Sequence, residues 1–127
     1  MTNNKESGFH RISLSFKYAM DGISYVFRTQ RNARIHGLIS MAVVALGFWL
    51  RLPGVDWAIL FLAMMVVWVS ELFNTAIEAH VDFTSPEKSA PAKVTKDIAA
   101  AAVLVGATGA VIVGLIILGP PLVEKIF

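Results

Sequence analysis

The chain has 127 residues, enough for one small domain, and is 56% hydrophobic but only 16% charged. With a mean hydropathy of +0.65, that balance excludes an ordinary soluble domain and points to a membrane protein. The net charge of +2 is too small to argue for a nucleic-acid partner, and the absence of cysteine removes disulfides and thiolate metal sites.

No apolar stretch follows Lys5 near the N-terminus, so no cleavable signal peptide is expected. Over residues 9–28, Phe9, Ile12, Phe16, Ala19, Met20, Ile23, Val26 and Phe27 recur at helical spacing, with Arg11, Ser15, Lys17, Asp21 and Ser24 between them. Tyr18 and Tyr25 suit a water boundary. The pattern predicts an amphipathic helix lying on the membrane surface; the plainer alternative is a helix packed on a partner. Arg28, Arg31 and Arg34 then form a basic cluster that ends at His36.

The apolar block at 37–50 is short for a bilayer, which needs about 20 residues. A first span over about 31–51 is adequate if its polar side chains snorkel to the interface. Residues 52–56 predict a tight turn around Pro53 and Gly54. A second span over about 56–82 starts at Trp57, a natural interfacial anchor, and runs without a break into a polar stretch. Residues 83–91 predict a polar loop, and Ala92 to Asp97 open the last helix. Its span, about 96–118, contains 21 uncharged residues from 98 to 118 and is rich in Gly and Ala, which favours close helix packing. Gly119, Pro120 and Pro121 are expected to stop it. The fold class is therefore all-α: a surface helix and three transmembrane helices in one domain over 1–127.

Nine of the eleven Lys and Arg residues fall in the N-terminal region and the loop before the last span. Only Arg51 and Lys125 fall on the other side. The positive-inside rule places the N-terminus in the cytoplasm.

The second span carries Glu71, Asn74, Glu78 and Asp82 at i, i+3, i+7 and i+11, one helical face. A carboxylate at the bilayer centre costs about 2.5 kcal/mol or more, so such a face is a hypothesis about function. Glu71 and Glu78 lie two turns apart, about 10 Å, which suits a division of labour. One carboxylate can bind a hard cation such as Mg²⁺ while the other takes a proton from a nucleophile, with Asn74 between them. Arg11, Lys93 and Lys96 belong to the same cytoplasmic side and suit phosphate oxygens, which together are the parts phosphoryl transfer needs. Two other readings stand beside this one. Glu71, Glu78 and Asp82 can form ion pairs with Lys93, Lys96 and Arg34 at a bundle end, or the face can mark an ion or proton pathway. Neither a P-loop nor a G-x-G-x-x-G phosphate loop is present. Three spans alone leave such a face open to lipid, so an oligomer is expected. His10, His36 and His80 are expected at headgroup level, and Trp49, Trp57 and Trp68 as interfacial or bundle aromatics.

The run from Glu71 to Asp82, with Asn74, Thr75, Ala76, Ile77 and Glu78 inside it, resembles the signature of the small prokaryotic diacylglycerol kinase family. The resemblance covers almost the whole chain, including Gly8 to Arg11, Phe16 to Phe27 and Ala92 to Ala100. Phe16 to Ala19, Arg31 to His36 and Lys96 to Ala100 look closer to its undecaprenol-kinase branch. The resemblance implies a homotrimer in the bacterial inner membrane, with active sites shared between subunits, that uses ATP and Mg²⁺ to phosphorylate a membrane lipid alcohol. Undecaprenol is the leading acceptor and diacylglycerol the alternative. It further implies that Glu71 is the general base and Glu78 a metal ligand. Asn74, Lys96 and Asp97 would lie around the phosphates and reacting centre, and Arg11 and Tyr18 would contact the nucleotide.

Gln30 departs from the pattern, standing where the family usually has a second metal-binding glutamate. It keeps a carbonyl oxygen but lacks the charge, so weaker metal binding is expected. Compensation by Asp82 or water, an altered metal or nucleotide preference, and an impaired kinase are the three consequences open. Val94 and the pair Lys88 and Ser89 are smaller departures, at positions expected near phosphate and adenine.

Overall fold

The computed structural model describes residues 8–87 and 89–127; Lys5 and Lys88, both counted above for orientation, lie outside them. Four helices follow one another: α1 (Gly8–Thr29), α2 (Arg31–Leu50), α3 (Gly54–Thr84) and α4 (Ala90–Ile126). The last three are long and apolar enough to cross a membrane. With 20 residues, α2 spans about 30 Å, the thickness of a bilayer core. α3 and α4, with 31 and 37 residues, are longer than that core requires, and their excess lies beside the polar ends.

A single residue separates α1 from α2. Gln30 takes an extended conformation, φ −101° and ψ 117°, while its N–H still donates to the Val26 carbonyl at 2.8 Å. Near this corner α1 meets the bundle: Val26 is buried, and the Phe27 ring lies 5.2 Å from that of Trp68 on α3. Further back, Ile12, Phe16 and Met20 are exposed, an apolar surface that the described residues do not cover.

The turn between α2 and α3 is tighter than the sequence suggests. Arg51 takes the left-handed conformation at φ 57°, and the N–H groups of Arg51 and Leu52 close onto carbonyls of Phe48 and Gly47. Because Arg51 makes the reversal and Pro53 caps the next helix, Gly54, Val55 and Asp56 already belong to α3. Asp56 in that first turn suits the positive end of the helix dipole. Beneath the turn Leu52, Leu60 and Leu118 form a buried cluster with Leu46 and Trp57 against it.

The loop before α4 is also shorter than expected. Phe83 and Thr84 complete α3, and α4 begins at Ala90. Ser89 supplies the reason: its hydroxyl accepts from the Ala92 N–H at 3.3 Å, and Pro91 sits in the first turn, where a missing N–H costs nothing. So short a connection makes α3 and α4 antiparallel neighbours. Gly106 lets them approach, since a Cβ there would stand 3.4 Å from Ser70 Oγ and Val66 Cγ1. At Gly109, Gly114 and Gly119 no such approach occurs within the chain.

Gly119, Pro120 and Pro121 do not stop α4, which continues to Ile126. Proline removes an N–H and disfavours the preceding helical residue, but contacts on either side of the pair outweigh that local preference. Leu118 is anchored in the leucine cluster. Lys125 donates to the Trp49 carbonyl at 2.6 Å and lies 4.7 Å over the Trp49 ring.

Candidate active site

The helix that begins in the apolar block continues through the polar stretch without interruption, as α3's composition requires. Along its face, exposure rises from Glu71, only 1% exposed, through Asn74 at 8% and a half-buried Glu78 to an exposed Asp82. Thr75 stiffens this turn by donating its hydroxyl to the Glu71 carbonyl at 2.9 Å.

Glu78 is held between two amides. Asn74 Nδ2, one turn back on α3, donates to Glu78 Oε1 at 3.2 Å, and Gln30 Nε2 donates to Oε2 at 3.1 Å. The kink at Gln30 is what aims that side chain across 48 residues of sequence. Gln30, Asn74 and Glu78 are thus brought together. Asn74 Oδ1 is buried without a donor among the described residues. Turning over either amide would offer Glu78's neighbourhood an oxygen in place of an N–H.

Glu71 faces a different partner. Its Oε1 lies 3.2 Å from Nε2 of His36 on α2, yet no N–H is aimed along that line, and the buried oxygen accepts no hydrogen bond among the described residues. Among the described residues neither Glu71 nor Glu78 is paired with Lys or Arg, so of the bundle-end ion pairing considered for Glu71, Glu78 and Asp82 only the Asp82–Lys96 pair is formed. His36, expected at headgroup level, is turned toward Glu71 on the inner side of the bundle. The signal was present in the spacing: Ala33, His36, Ser40, Val43 and Gly47 form one stripe on α2, and Ala33 and Gly47 are buried. Ser40 belongs to the same inward stripe and accepts from Trp68 Nε1 at 3.3 Å, which makes Trp68 a bundle aromatic.

A second polar group surrounds the α3–α4 loop. Lys96 pairs with Asp82 and Lys93 with Asp97, and these residues with Ser85 and Ser89 line a cavity of about 480 Å³. No hydrogen bond or ion pair joins Lys96 or Asp97 to Glu71, Asn74 or Glu78 among the described residues. Arg11 and Tyr18 are exposed on α1 and likewise make no side-chain bond to that cluster.

Chemically, the first cluster offers a buried carboxylate free to take a proton and a second one ringed by amides. Among the described residues no three His, Cys, Asp or Glu side chains converge as a metal site. A hard cation at Glu78 would have that carboxylate and amide oxygens, including the undonated Asn74 Oδ1, and would complete its shell from phosphate and water. The donor set fits such an ion, at low site charge.

Three helices long and apolar enough to cross a membrane thus carry a buried carboxylate on α3, with paired lysines around the α3–α4 loop. Residues 17–118 match the family model for prokaryotic diacylglycerol kinase. A protein of Synechocystis sp. named diacylglycerol kinase is 46% identical over 87% of this chain and 64% of its own length. An undecaprenol kinase of Bacillus subtilis is 40% identical over 89% of this chain and 92% of its own. A diacylglycerol kinase of Helicobacter pylori is 32% identical, covering 80% of each chain. The chain belongs to the prokaryotic diacylglycerol kinase family, a family of lipid kinases. ATP is the co-substrate such kinases imply.

Proposed function

We propose that this chain transfers the γ-phosphoryl group of ATP to the hydroxyl of a membrane lipid alcohol, with undecaprenol as the leading acceptor and diacylglycerol as the alternative. One observation carries the reading: Glu71 is a fully buried carboxylate at the edge of an apolar span, and among the described residues one of its oxygens accepts no hydrogen bond and it has no Lys or Arg partner. A group so placed is suited to take the acceptor's hydroxyl proton as its oxygen bonds to the γ-phosphorus. The bond to the bridging oxygen breaks, and ADP leaves with that electron pair. Asn74 lies between Glu71 and Glu78 and orients the reacting centre.

Glu78, with oxygens of Asn74 and Gln30, would hold Mg²⁺ on the nucleotide. The ion would supply charge neutralisation on the phosphates. Lys96, Asp97, Arg11 and Tyr18 are assigned to nucleotide and phosphate contacts. Because Lys96 and Asp97 make no bond to the carboxylate cluster within one chain, we assign the complete site to a homotrimer, in which a neighbour's α4 supplies them. The exposed Leu104, Val111, Leu115 and Ile116 on α4 suit burial against lipid or such a neighbour. α1 is assigned to the cytoplasmic membrane surface, and the N-terminus to the cytoplasm.

Undecaprenol leads because the segments around Lys17, Arg34 and Lys96 look like that branch, and the Bacillus subtilis undecaprenol kinase matches over 92% of its length. The 46% identity to a diacylglycerol kinase keeps the second acceptor in view. The test is transfer of labelled γ-phosphate from Mg-ATP to each lipid in mixed micelles. Faster labelling of undecaprenol supports the assignment, faster labelling of diacylglycerol reverses it, and no lipid phosphate with either ends the kinase reading.

A further inference from the structure

The reading just given assigns no part to His36, yet its imidazole is the side chain against the Glu71 carboxylate. Its side chain is 19% exposed while that of Glu71 is 2% exposed, so the contact faces the interior of the bundle. His36 also has a second surface. An apolar groove of about 370 Å³ between α2, α3 and α4 is lined by Val43, Leu60, Val67, Ala110 and Leu118, with His36 and Ser40 as polar members of its wall. Ser40 is already engaged by Trp68. Glu71 does not line this groove; His36 stands between the groove and the carboxylate. A hydroxyl carried on a hydrocarbon chain that lies there would come to the imidazole at the groove's polar wall, with the Glu71 carboxylate 3.2 Å beyond Nε2.

We propose that His36 is the positioning residue of the phosphotransfer site, its imidazole N–H holding the Glu71 carboxylate toward the acceptor hydroxyl at the end of this groove. The inference rests on the lipid-kinase reading and adds to it a residue that reading does not use. The 3.2 Å separation needs only a rotation of the ring to place the N–H on the line to Oε1. Such bonds commonly tighten only in the reacting complex. His36 gains and loses no proton in the step: the hydroxyl proton goes to Glu71, and the phosphoryl balance is unchanged. What the imidazole contributes is orientation. A carboxylate without that restraint samples rotamers that do not face the hydroxyl, and misplacement on the scale of 1 Å costs about 100-fold in rate.

The test compares His36→Gln and His36→Met in the full chain in mixed micelles, with kcat and KM measured for both acceptor and Mg-ATP. Both substitutions keep much of the side-chain volume, but only Gln keeps an N–H donor. The proposal expects kcat to fall roughly 10- to 100-fold in His36→Met with the KM for Mg-ATP unchanged, and His36→Gln to regain most of that loss. Full activity in His36→Met overturns it, as does equal impairment in the two. Loss of the fold in both would also overturn it by making His36 a packing residue. If the unaltered chain transfers no phosphate, the kinase reading fails first; transfer by the unaltered chain with an indifferent His36→Met sinks the positioning role alone.

Discussion

Gln30 donates its side-chain N–H to Glu78 Oε2 at 3.1 Å, so the residue that breaks the chain between α1 and α2 also holds a carboxylate of the candidate site. A glutamate in that place would set two negative charges together, which helps a divalent cation and hurts the chain without one. Gln30→Glu is therefore expected to lower the Mg²⁺ concentration for half-maximal activity by about tenfold. Without divalent cation it should lower the melting temperature. Mg²⁺ titrations of activity and thermal melts with and without chelator read both effects.

The Asp82–Lys96 pair tests whether the cavity by the α3–α4 loop is structural or functional. Both side chains are substantially exposed, at 66% and 36%, so the pair should contribute at most about 1 kcal/mol to stability. Lys96→Met is expected to leave the melting temperature nearly unchanged while lowering kcat/KM for ATP by at least about tenfold, as loss of a phosphate-binding cation should. Equal activity in the variant would confine Lys96 to the ion pair.

Close packing at the other end has its own test. A Cβ on Gly47 would stand 2.8 and 2.9 Å from atoms of the Trp57 ring and 3.2 Å from Leu52 Cδ1. Gly47→Ala is expected to cost about 1–3 kcal/mol through this overpacking. Gly109→Ala, which meets nothing within 4 Å in the chain, should cost less in the isolated subunit. Chemical denaturation in detergent compares the two.

The apolar blocks made the helices legible, because a bilayer demands about 20 residues and each block reaches that length once its flanking residues are added. The face of Glu71, Asn74 and Glu78 was legible for the same reason: helical pitch is regular and charge in an apolar span is conspicuous. Boundaries were less so. Pro120 and Pro121 looked like a stop because local preference is read from neighbours in sequence, whereas Lys125 on the Trp49 carbonyl joins residues 76 apart. The His36–Glu71 contact was missed for a similar reason. His36 was read with the three arginines beside it, and only the stripe shared with Ala33, Ser40 and Gly47 pointed inward. The Gln30–Glu78 bond depends on a kink whose angle no local pattern encodes.

Glu71 is the claim on which the rest depends, and Glu71→Gln tests it with a nearly isosteric change that removes the proton acceptor. Labelled γ-phosphate transfer from Mg-ATP to undecaprenol and to diacylglycerol should be measured for both chains in the same micelles, with melting temperatures alongside. Loss of transfer by about 100-fold or more, with the fold and the KM for ATP retained, is the predicted result. Lipid phosphate formed by Glu71→Gln at the rate of the unaltered chain would contradict it, and the proton acceptor would have to be sought elsewhere.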